Sequence, residues 1–129
     1  MEFSSQRFAD VVVAVPVGRV DHASAARLEQ ALGPMLEPSD GSGAIVLDFA
    51  GVHYISSVGL RVLMIAAKKM RAREAAIGVA ALQPVVQEIF DISRFMHVVD
   101  VFASVRDAIA GSSDRSLLAY DASATSGSR

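Results

Sequence analysis

The residues best placed to do chemistry are two adjacent serines, Ser56 and Ser57, which stand between an apolar segment and a helical pattern. A hydroxyl at such a boundary accepts hydrogen bonds from the unpaired amides at the start of the helix, worth about 1 kcal/mol. The same position leaves the hydroxyl at the edge of a sheet where parallel α/β folds keep their sites, within reach of a modifying enzyme. The sequence therefore predicts that Ser57 caps the helix, accepts a modifying group, or does both.

Residues suited to catalysis or metal binding are sparse elsewhere. The sequence has three histidines, His22, His53 and His97. No two of them have the spacing of a metal-binding pair on one helix. Ser57 lacks a Gly-x-Ser-x-Gly pattern, and Gly41-Ser42-Gly43 lacks the Gly-Lys-Ser/Thr that completes a phosphate-binding loop. We therefore expect no catalytic residue, no metal and no cofactor. The alternative, a small α/β enzyme, requires turnover that is lost on substitution of Ser57, His53 or Asp48.

The composition favours one core and a protein or small-molecule partner. A chain of 129 residues, 52% of them hydrophobic, can bury one sizeable core but not two. A formal net charge of -2 provides no field that would attract nucleic acid or anionic lipid. The absence of cysteine fits a reducing cytoplasm, and the first residues lack the basic-then-apolar order of a signal peptide. No apolar run reaches the roughly 18 residues of a membrane helix. We therefore expect a cytoplasmic protein without membrane insertion.

Strand and helix patterns alternate along the chain. The predicted strands are residues 8–17, 44–49, 77–81 and 98–102. The predicted helices are residues 23–36, 58–73, one opened by Pro84, and one from Ser104 to about Gly111. The run 44–49 is apolar almost throughout, as in a strand that is buried on both faces. This alternation predicts an α/β fold, with a largely parallel sheet covered by helices.

The chain changes composition after Gly111. Residues 112–129 are rich in Ser and Ala, which indicates a mobile tail. Within it, only residues 117–120 are apolar enough for docking. We therefore expect a single domain over residues 1–111 and a flexible tail over residues 112–129.

The segment from Val46 to Leu60, VLDFAGVHYISSVGL, resembles the core motif of the STAS domain of bacterial anti-sigma factor antagonists. Gly18-Arg19-Val20-Asp21, followed by residues 23–28, is similar to the second strand and first helix of that family. The segment that runs from Val99 to Val105 and leads to Ala108 is similar to its closing segment. The resemblance covers residues 3–111 and implies a STAS fold, with a mostly parallel, mixed sheet of four to five strands and about four helices.

The resemblance also implies a partner switch. In this family the unmodified antagonist binds an anti-sigma factor that is a serine kinase of the GHKL type, and the phosphorylated antagonist is released. A PP2C-type phosphatase then resets the system. Ser57 matches the phosphoacceptor position. Ser56 stands where many members have Asp, which makes it a second, weaker candidate for phosphorylation, and Val58 stands where Ser, Thr or Ala is usual.

We expect the partner contacts to surround this serine pair. They are Asp21, Asp48, His53, Tyr54, Ser56, Val58, Gly59, Leu60 and Arg61. Asp21 and Asp48 fall at strand ends near the same rim, where they would add to the repulsion of the partner or assist the kinase. Alternatively, they are only a helix cap and a turn former. His53 and Tyr54 are either contacts or the end of a strand that packs inward.

The helix after Ser57 has more apolar surface than one buried stripe requires. Leu60, Leu63, Met64 and Ala67 form one face, and Val58, Val62 and Ile65 form another. Either a partner or neighbouring elements cover the second face. The cations at the far end of this helix are Lys68, Lys69, Arg71 and Arg73. They complement the helix dipole or form a phosphate-binding patch.

A second function remains open from the sequence. STAS modules also act as scaffolds or as transporter-associated subunits, in which the serine rim binds a partner without phosphorylation. The sequence leaves the oligomeric state open as well.

Overall fold

A computed structural model describes residues 1–127, which form six strands and five helices. The strands are β1 (Glu2–Phe8), β2 (Val11–Val20), β3 (Ala44–Asp48), β4 (Val52–Ile55), β5 (Ala76–Ala80) and β6 (Asp100–Phe102). The helices are α1 (Ala25–Leu36), α2 (Ser57–Ala72), α3 (Pro84–Ser93), α4 (Val105–Ala110) and α5 (Asp114–Gly127). Short 3-10 turns occupy Pro38–Asp40 and Phe95–His97. Over this range, no helix combines the length and the apolar composition that a membrane crossing requires.

The strands form one mixed sheet in the order β1-β2-β3-β5-β6, and β4 pairs with the end of β2. Only β1 and β2 are antiparallel, and the other pairings are parallel. The predicted α/β class and the mostly parallel sheet are confirmed. The sequence prediction placed a single strand over residues 8–17 and missed β1 as a separate strand. The reason is that β1 lies at an edge of the sheet and is mostly exposed, so that it has little apolar alternation to detect.

Two hydrophobic clusters cover the two faces of the sheet. Along β3, Ile45 and Leu47 face the cluster built with α1, α2 and α3, whereas Ala44 and Val46 face the one built with α4. This alternation of buried residues confirms the predicted strand buried on both faces, although the strand ends at Asp48, one residue earlier than predicted. The larger cluster contains Leu28, Leu32, Leu63, Met70 and Phe90, all with 0% exposure. Through this cluster, α2 packs against the sheet and next to α1.

The segment after Gly111 differs from the predicted mobile tail, because residues 114–127 form α5. Ser116 of this helix is 0% exposed, and its hydroxyl donates a hydrogen bond of 2.6 Å to Asp10 Oδ1 in the turn between β1 and β2. Tyr120 contacts Phe8 edge-on, with 5.1 Å between the ring centroids. Leu117, Ala119 and Tyr120 pack on the smaller cluster, as the docking prediction expected, while Leu118 is 72% exposed. Contacts with residues near the start of the chain therefore hold in place a segment whose composition alone suggests disorder.

The Asp10–Ser116 hydrogen bond predicts a pH-dependent contribution to stability. The Ser116 hydroxyl holds the pKa of Asp10 below its usual value of 3.8. A lowered pKa contributes stability above the unfolded-state value, and this contribution is lost as the pH falls through the folded-state value. We expect Asp10→Asn to lower the free energy of unfolding at pH 7, because it weakens the hydrogen bond from Ser116. The loss should be only about 1 kcal/mol, because Asp10 is partly exposed and solvent screens its charge. The difference from wild type should shrink below about pH 4.

Urea unfolding between pH 3 and pH 7 measures this effect. Asp100→Asn is the matched control, because Asp100 is an exposed carboxylate on β6 without a hydrogen bond among the described residues. A constant difference across this pH range, or an equal effect of the control, would contradict the role given to Asp10.

Candidate functional site

The junction between β4 and α2 is fixed by Ser56. Its hydroxyl accepts a hydrogen bond from the Gly59 amide at 3.2 Å, which makes it the cap of α2. The Ser56 amide donates to the Val20 carbonyl at the end of β2, and its own carbonyl accepts from the Leu60 amide. The cap therefore joins the start of α2 to the ends of β2 and β4.

Ser57 is the first residue of α2 and is exposed, whereas Ser56 is half-buried. Among residues 1–127, the Ser57 hydroxyl has no hydrogen-bond partner. The prediction that Ser57 caps the helix is wrong, because the cap is Ser56. The structure divides capping and exposure between the two serines, because the cap needs the extended backbone of Ser56, with φ -84° and ψ 170°, and Ser57 is already helical.

This division predicts a specific effect of removing the Ser56 hydroxyl. Ser56→Ala should lower the free energy of unfolding by about 1 kcal/mol, the usual cost of losing a helix cap. The matched control is Ser104→Ala, because Ser104 caps α4 in the same way, accepting from the Asp107 amide at 3.0 Å. Thermal or urea unfolding should give similar losses for both variants. Amide exchange at Gly59 should accelerate only in Ser56→Ala, and an unchanged exchange rate there would contradict the cap.

Gly59 lets α2 approach the strands closely. A Cβ atom at this position would lie 2.8 Å from the side-chain carbons of both Ile55 and Val20. Both neighbours are buried and β-branched, so that they have little freedom to move aside. Gly59 itself is buried, and it therefore positions the start of the helix from inside the fold although the sequence prediction placed it among the partner contacts.

Asp21 organises the turn between β2 and α1. Its Oδ1 accepts hydrogen bonds from the amides of Ala23 and Ser24 and from the Ser24 hydroxyl. The hydrogen bond from the Ser24 amide and, to a lesser extent, the one from the Ser24 hydroxyl lower the pKa of Asp21. Arg19 lies 3.6 Å from this carboxylate and 4.2 Å from the centre of the Tyr54 ring. Asp21 thus orders the turn before α1, whose cap residue is Ser24 and has no side-chain cap hydrogen bond. Asp21 lies at the end of β2 that Ser56 contacts.

The remaining predicted residues differ in exposure. His53 is exposed and Tyr54 is half-buried under Arg19, so that both border the junction of β2 and β4. Asp48 does not join this group. Its side chain accepts from the Ala50 amide at 3.0 Å, and it lines a groove with residues of β1, Val105 and Tyr120, on the side of the sheet that α4 and α5 cover. Asp48 therefore acts as a turn former, and the expectation that it shares a rim with Ser57 is not met.

The outer face of α2 forms a shallow groove that begins at Ser57. Leu60, Arg61, Met64, Ile65 and Lys68 line it together with Phe95 from the turn after α3. Val58 and Leu60 are half-buried and pack partly on the core, and Arg61 is exposed. The sequence prediction missed Phe95, because nothing in its spacing shows that the turn after α3 returns to α2. Met64 was identifiable, since it stands four residues after Leu60 on the same helix face.

The second apolar face of α2 is covered only in part by the fold. Val62 is buried, whereas Val58 and Ile65 are half-buried, and Ile65 stands between the groove that begins at Ser57 and a narrow groove with Gly33 of α1. The four cations at the end of α2 do not form one patch. Arg73 donates to the carbonyls of Met35 and Ser42, and Arg71 donates to that of Val98, whereas Lys68 and Lys69 are exposed.

Comparisons with known proteins agree on one family. The model of the STAS domain family matches residues 3–108. BtrV of Bordetella bronchiseptica, provisionally named an anti-sigma factor antagonist, is 34% identical over 110 residues, which cover 85% of this chain and 92% of BtrV. The crystal structure of an anti-sigma factor antagonist from Mycobacterium paratuberculosis is 25% identical, with a TM-score of 0.78, over 86% of this chain and 92% of that one.

The fold is also shared with SpoIIAA, an anti-sigma factor antagonist of Bacillus. Its phosphorylated form has a TM-score of 0.65 at 15% identity, over 85% of this chain and 98% of that chain. Its unphosphorylated form has a TM-score of 0.71 at 16% identity, over 85% of this chain and 95% of that chain. At this identity the likeness concerns the fold alone. The match of the family model over residues 3–108 and the 34% identity to BtrV show that the chain belongs to the STAS domain family, among the anti-sigma factor antagonists.

Proposed function

We propose that this protein acts as the switching partner of an anti-sigma factor and that phosphorylation of Ser57 releases it. The observation that carries the proposal is the exposed Ser57 hydroxyl, which is unbonded among the described residues and stands beside a separate cap, Ser56. A modified Ser57 therefore leaves the hydrogen bonds of the junction intact. The similarity to anti-sigma factor antagonists supplies the class of partner.

The position of Ser57 suits a phosphate within the folded chain. Phosphate adds a charge of about -1.5 to -2 at the first turn of a 16-residue helix, where the dipole is positive. Unpaired amides at the helix start can donate to its oxygens. The modification should therefore be compatible with the fold and act on the surface that a partner meets.

The enzymes of the switch follow from the resemblance of the motif. The kinase is the anti-sigma factor itself, of the GHKL type, and the phosphatase is of the PP2C type. The protein then works by binding, as a cytoplasmic regulator, and catalyses no reaction. The proposed contact surface comprises Asp21, His53, Tyr54, Ser56, Val58, Leu60 and Arg61, which surround or follow the junction, whereas the buried Gly59 supports it.

Incubation with ATP and the GHKL-type kinase encoded nearest to its gene tests the proposal. We expect mass spectrometry to find one phosphate on Ser57, none on Ser57→Ala, and its removal by a PP2C-type phosphatase. Ser56→Ala should still be phosphorylated at Ser57. A chain that remains unmodified while it binds a transporter subunit or a scaffold tightly would contradict the switch and favour the alternative STAS function.

A further inference from the structure

The groove along α2 has a chemical character of its own. Its floor is apolar and consists of the half-buried Leu60, Met64 and Ile65 with the buried Phe95. Two exposed cations, Arg61 and Lys68, stand along it. No acidic side chain lines the groove, and among residues 1–127 neither cation forms an ion pair. The groove is thus an apolar surface with positive charges that the chain does not neutralise.

The spacing of these residues defines what the groove fits. Arg61 and Lys68 are seven residues apart, which is two helical turns or about 10 Å. On the same helix, Leu60 directly precedes Arg61, and Met64 lies between the two cations. Ser57 is one turn before Arg61, and residues four apart on a helix are neighbours. The groove therefore presents a serine, a cation, an apolar centre and a second cation in a row.

We propose that this groove receives an acidic segment of the anti-sigma factor, in which two carboxylates flank an apolar side chain. The inference rests on the proposed function and names the chemistry of the partner surface. The carboxylates pair with Arg61 and Lys68, and the apolar side chain is seated on Leu60 and Met64. Charge complementarity selects this occupant, because a second copy of the chain would set the same cations against one another.

The same arrangement explains how a phosphate on Ser57 acts on the groove. The guanidinium of Arg61, one turn away, is within reach of phosphoryl oxygens on Ser57 and can form charge-assisted hydrogen bonds with them. The phosphate then repels the incoming acidic segment and also occupies the cation that would receive it. Arg61 is in this way a specificity-determining residue in the unmodified form and the phosphate's partner in the modified form.

Charge-removing variants test the groove against the GHKL-type anti-sigma factor kinase encoded nearest to the gene. We expect Arg61→Gln and Lys68→Gln each to raise the Kd about tenfold at low salt, with a smaller effect at high salt. Lys69→Gln is the matched control, because Lys69 is exposed on the same helix but lines the groove beside α1. It should change the Kd less than about twofold.

The outcomes separate the groove from the switch. The groove inference is wrong, and the proposed function stands, if the wild-type chain binds and both groove variants bind as tightly as it does. The same holds if Lys69→Gln loses as much affinity as the groove variants. If the wild-type chain does not bind, both are overturned.

The role of Arg61 toward the phosphate has a test without a partner. Phosphoserine is incorporated genetically at position 57, and the phosphate is titrated by ³¹P NMR. We expect its second pKa, near 6, to be lower by roughly 0.3 in the wild-type background than with Arg61→Gln, and unchanged by Lys69→Gln. Equal pKa values with and without Arg61 would overturn this role.

Discussion

Replacement of Ser57 by aspartate should weaken binding to the anti-sigma factor at least about a hundredfold, which corresponds to about 2.7 kcal/mol. Ser57→Ala should bind as tightly as the unmodified wild type and, in the presence of ATP and the kinase, should remain bound. The physical reason is that a carboxylate at position 57 must be desolvated at the interface or set against the acidic groups of the partner. The neutral methyl group carries no such cost.

The two variants should differ little in stability, and this separates binding from folding. Ser57 is exposed and its hydroxyl makes no hydrogen bond among the described residues, so that Ser57→Ala should stay within about 0.5 kcal/mol of wild type. Aspartate at the first turn of α2 should be neutral or stabilising by about 0.3 to 1 kcal/mol, because the helix dipole is positive there. Isothermal calorimetry gives the affinities and urea unfolding gives the stabilities. Equal affinities of the two variants would contradict the charge argument.

Enlargement of Gly59 should have the second large effect, on the fold at the junction. Gly59→Ala places a methyl group 2.8 Å from side-chain carbons of Val20 and Ile55. The overpacking costs about 1 to 3 kcal/mol, and the better helix propensity of alanine returns up to about 1 kcal/mol. We expect a net loss of about 1 to 2 kcal/mol for Gly59→Ala and about 3 kcal/mol for Gly59→Val.

The displacement of α2 should also reach the serine pair. Two-dimensional amide NMR of Gly59→Ala should show shifts at Ser56, Ser57 and Leu60, and the rate of phosphorylation at Ser57 should fall. Ser57→Ala is the control for stability, since it changes an exposed position two residues earlier in the same helical turn. A Gly59→Ala protein that is as stable as wild type and has unchanged amide chemical shifts would contradict the close contact of α2 with the strands.

The parallel sheet was predictable because its central strands have a local signature. Residues 44–49 are apolar almost throughout, and the structure buries Ile45 and Val46 on opposite faces. α2 was predictable for the same reason, because its apolar residues recur with the helical period. The prediction placed its start one residue late, since the boundary between cap and first turn depends on the backbone angles of Ser56.

What the sequence could not show depends on contacts between distant segments. α5 is composed of residues typical of a tail, and it is held by Ser116 on Asp10 and by a salt bridge of 3.0 Å between Arg106 and Asp121. Asp48 and Asp21 look alike as strand-end carboxylates, yet Asp48 lies on the side of the sheet covered by α4 and α5. Phe95 reaches the groove of α2 only through the packing of α3. Local patterns cannot locate such contacts.

The most direct measurement compares one preparation before and after modification. The chain is phosphorylated stoichiometrically at Ser57, and the Kd for the anti-sigma factor kinase is measured for both forms without ATP, with circular dichroism as the check on folding. The proposed switch predicts at least about a hundredfold higher Kd for the phosphorylated form, with an unchanged spectrum. Equal Kd values for two equally folded forms would contradict it.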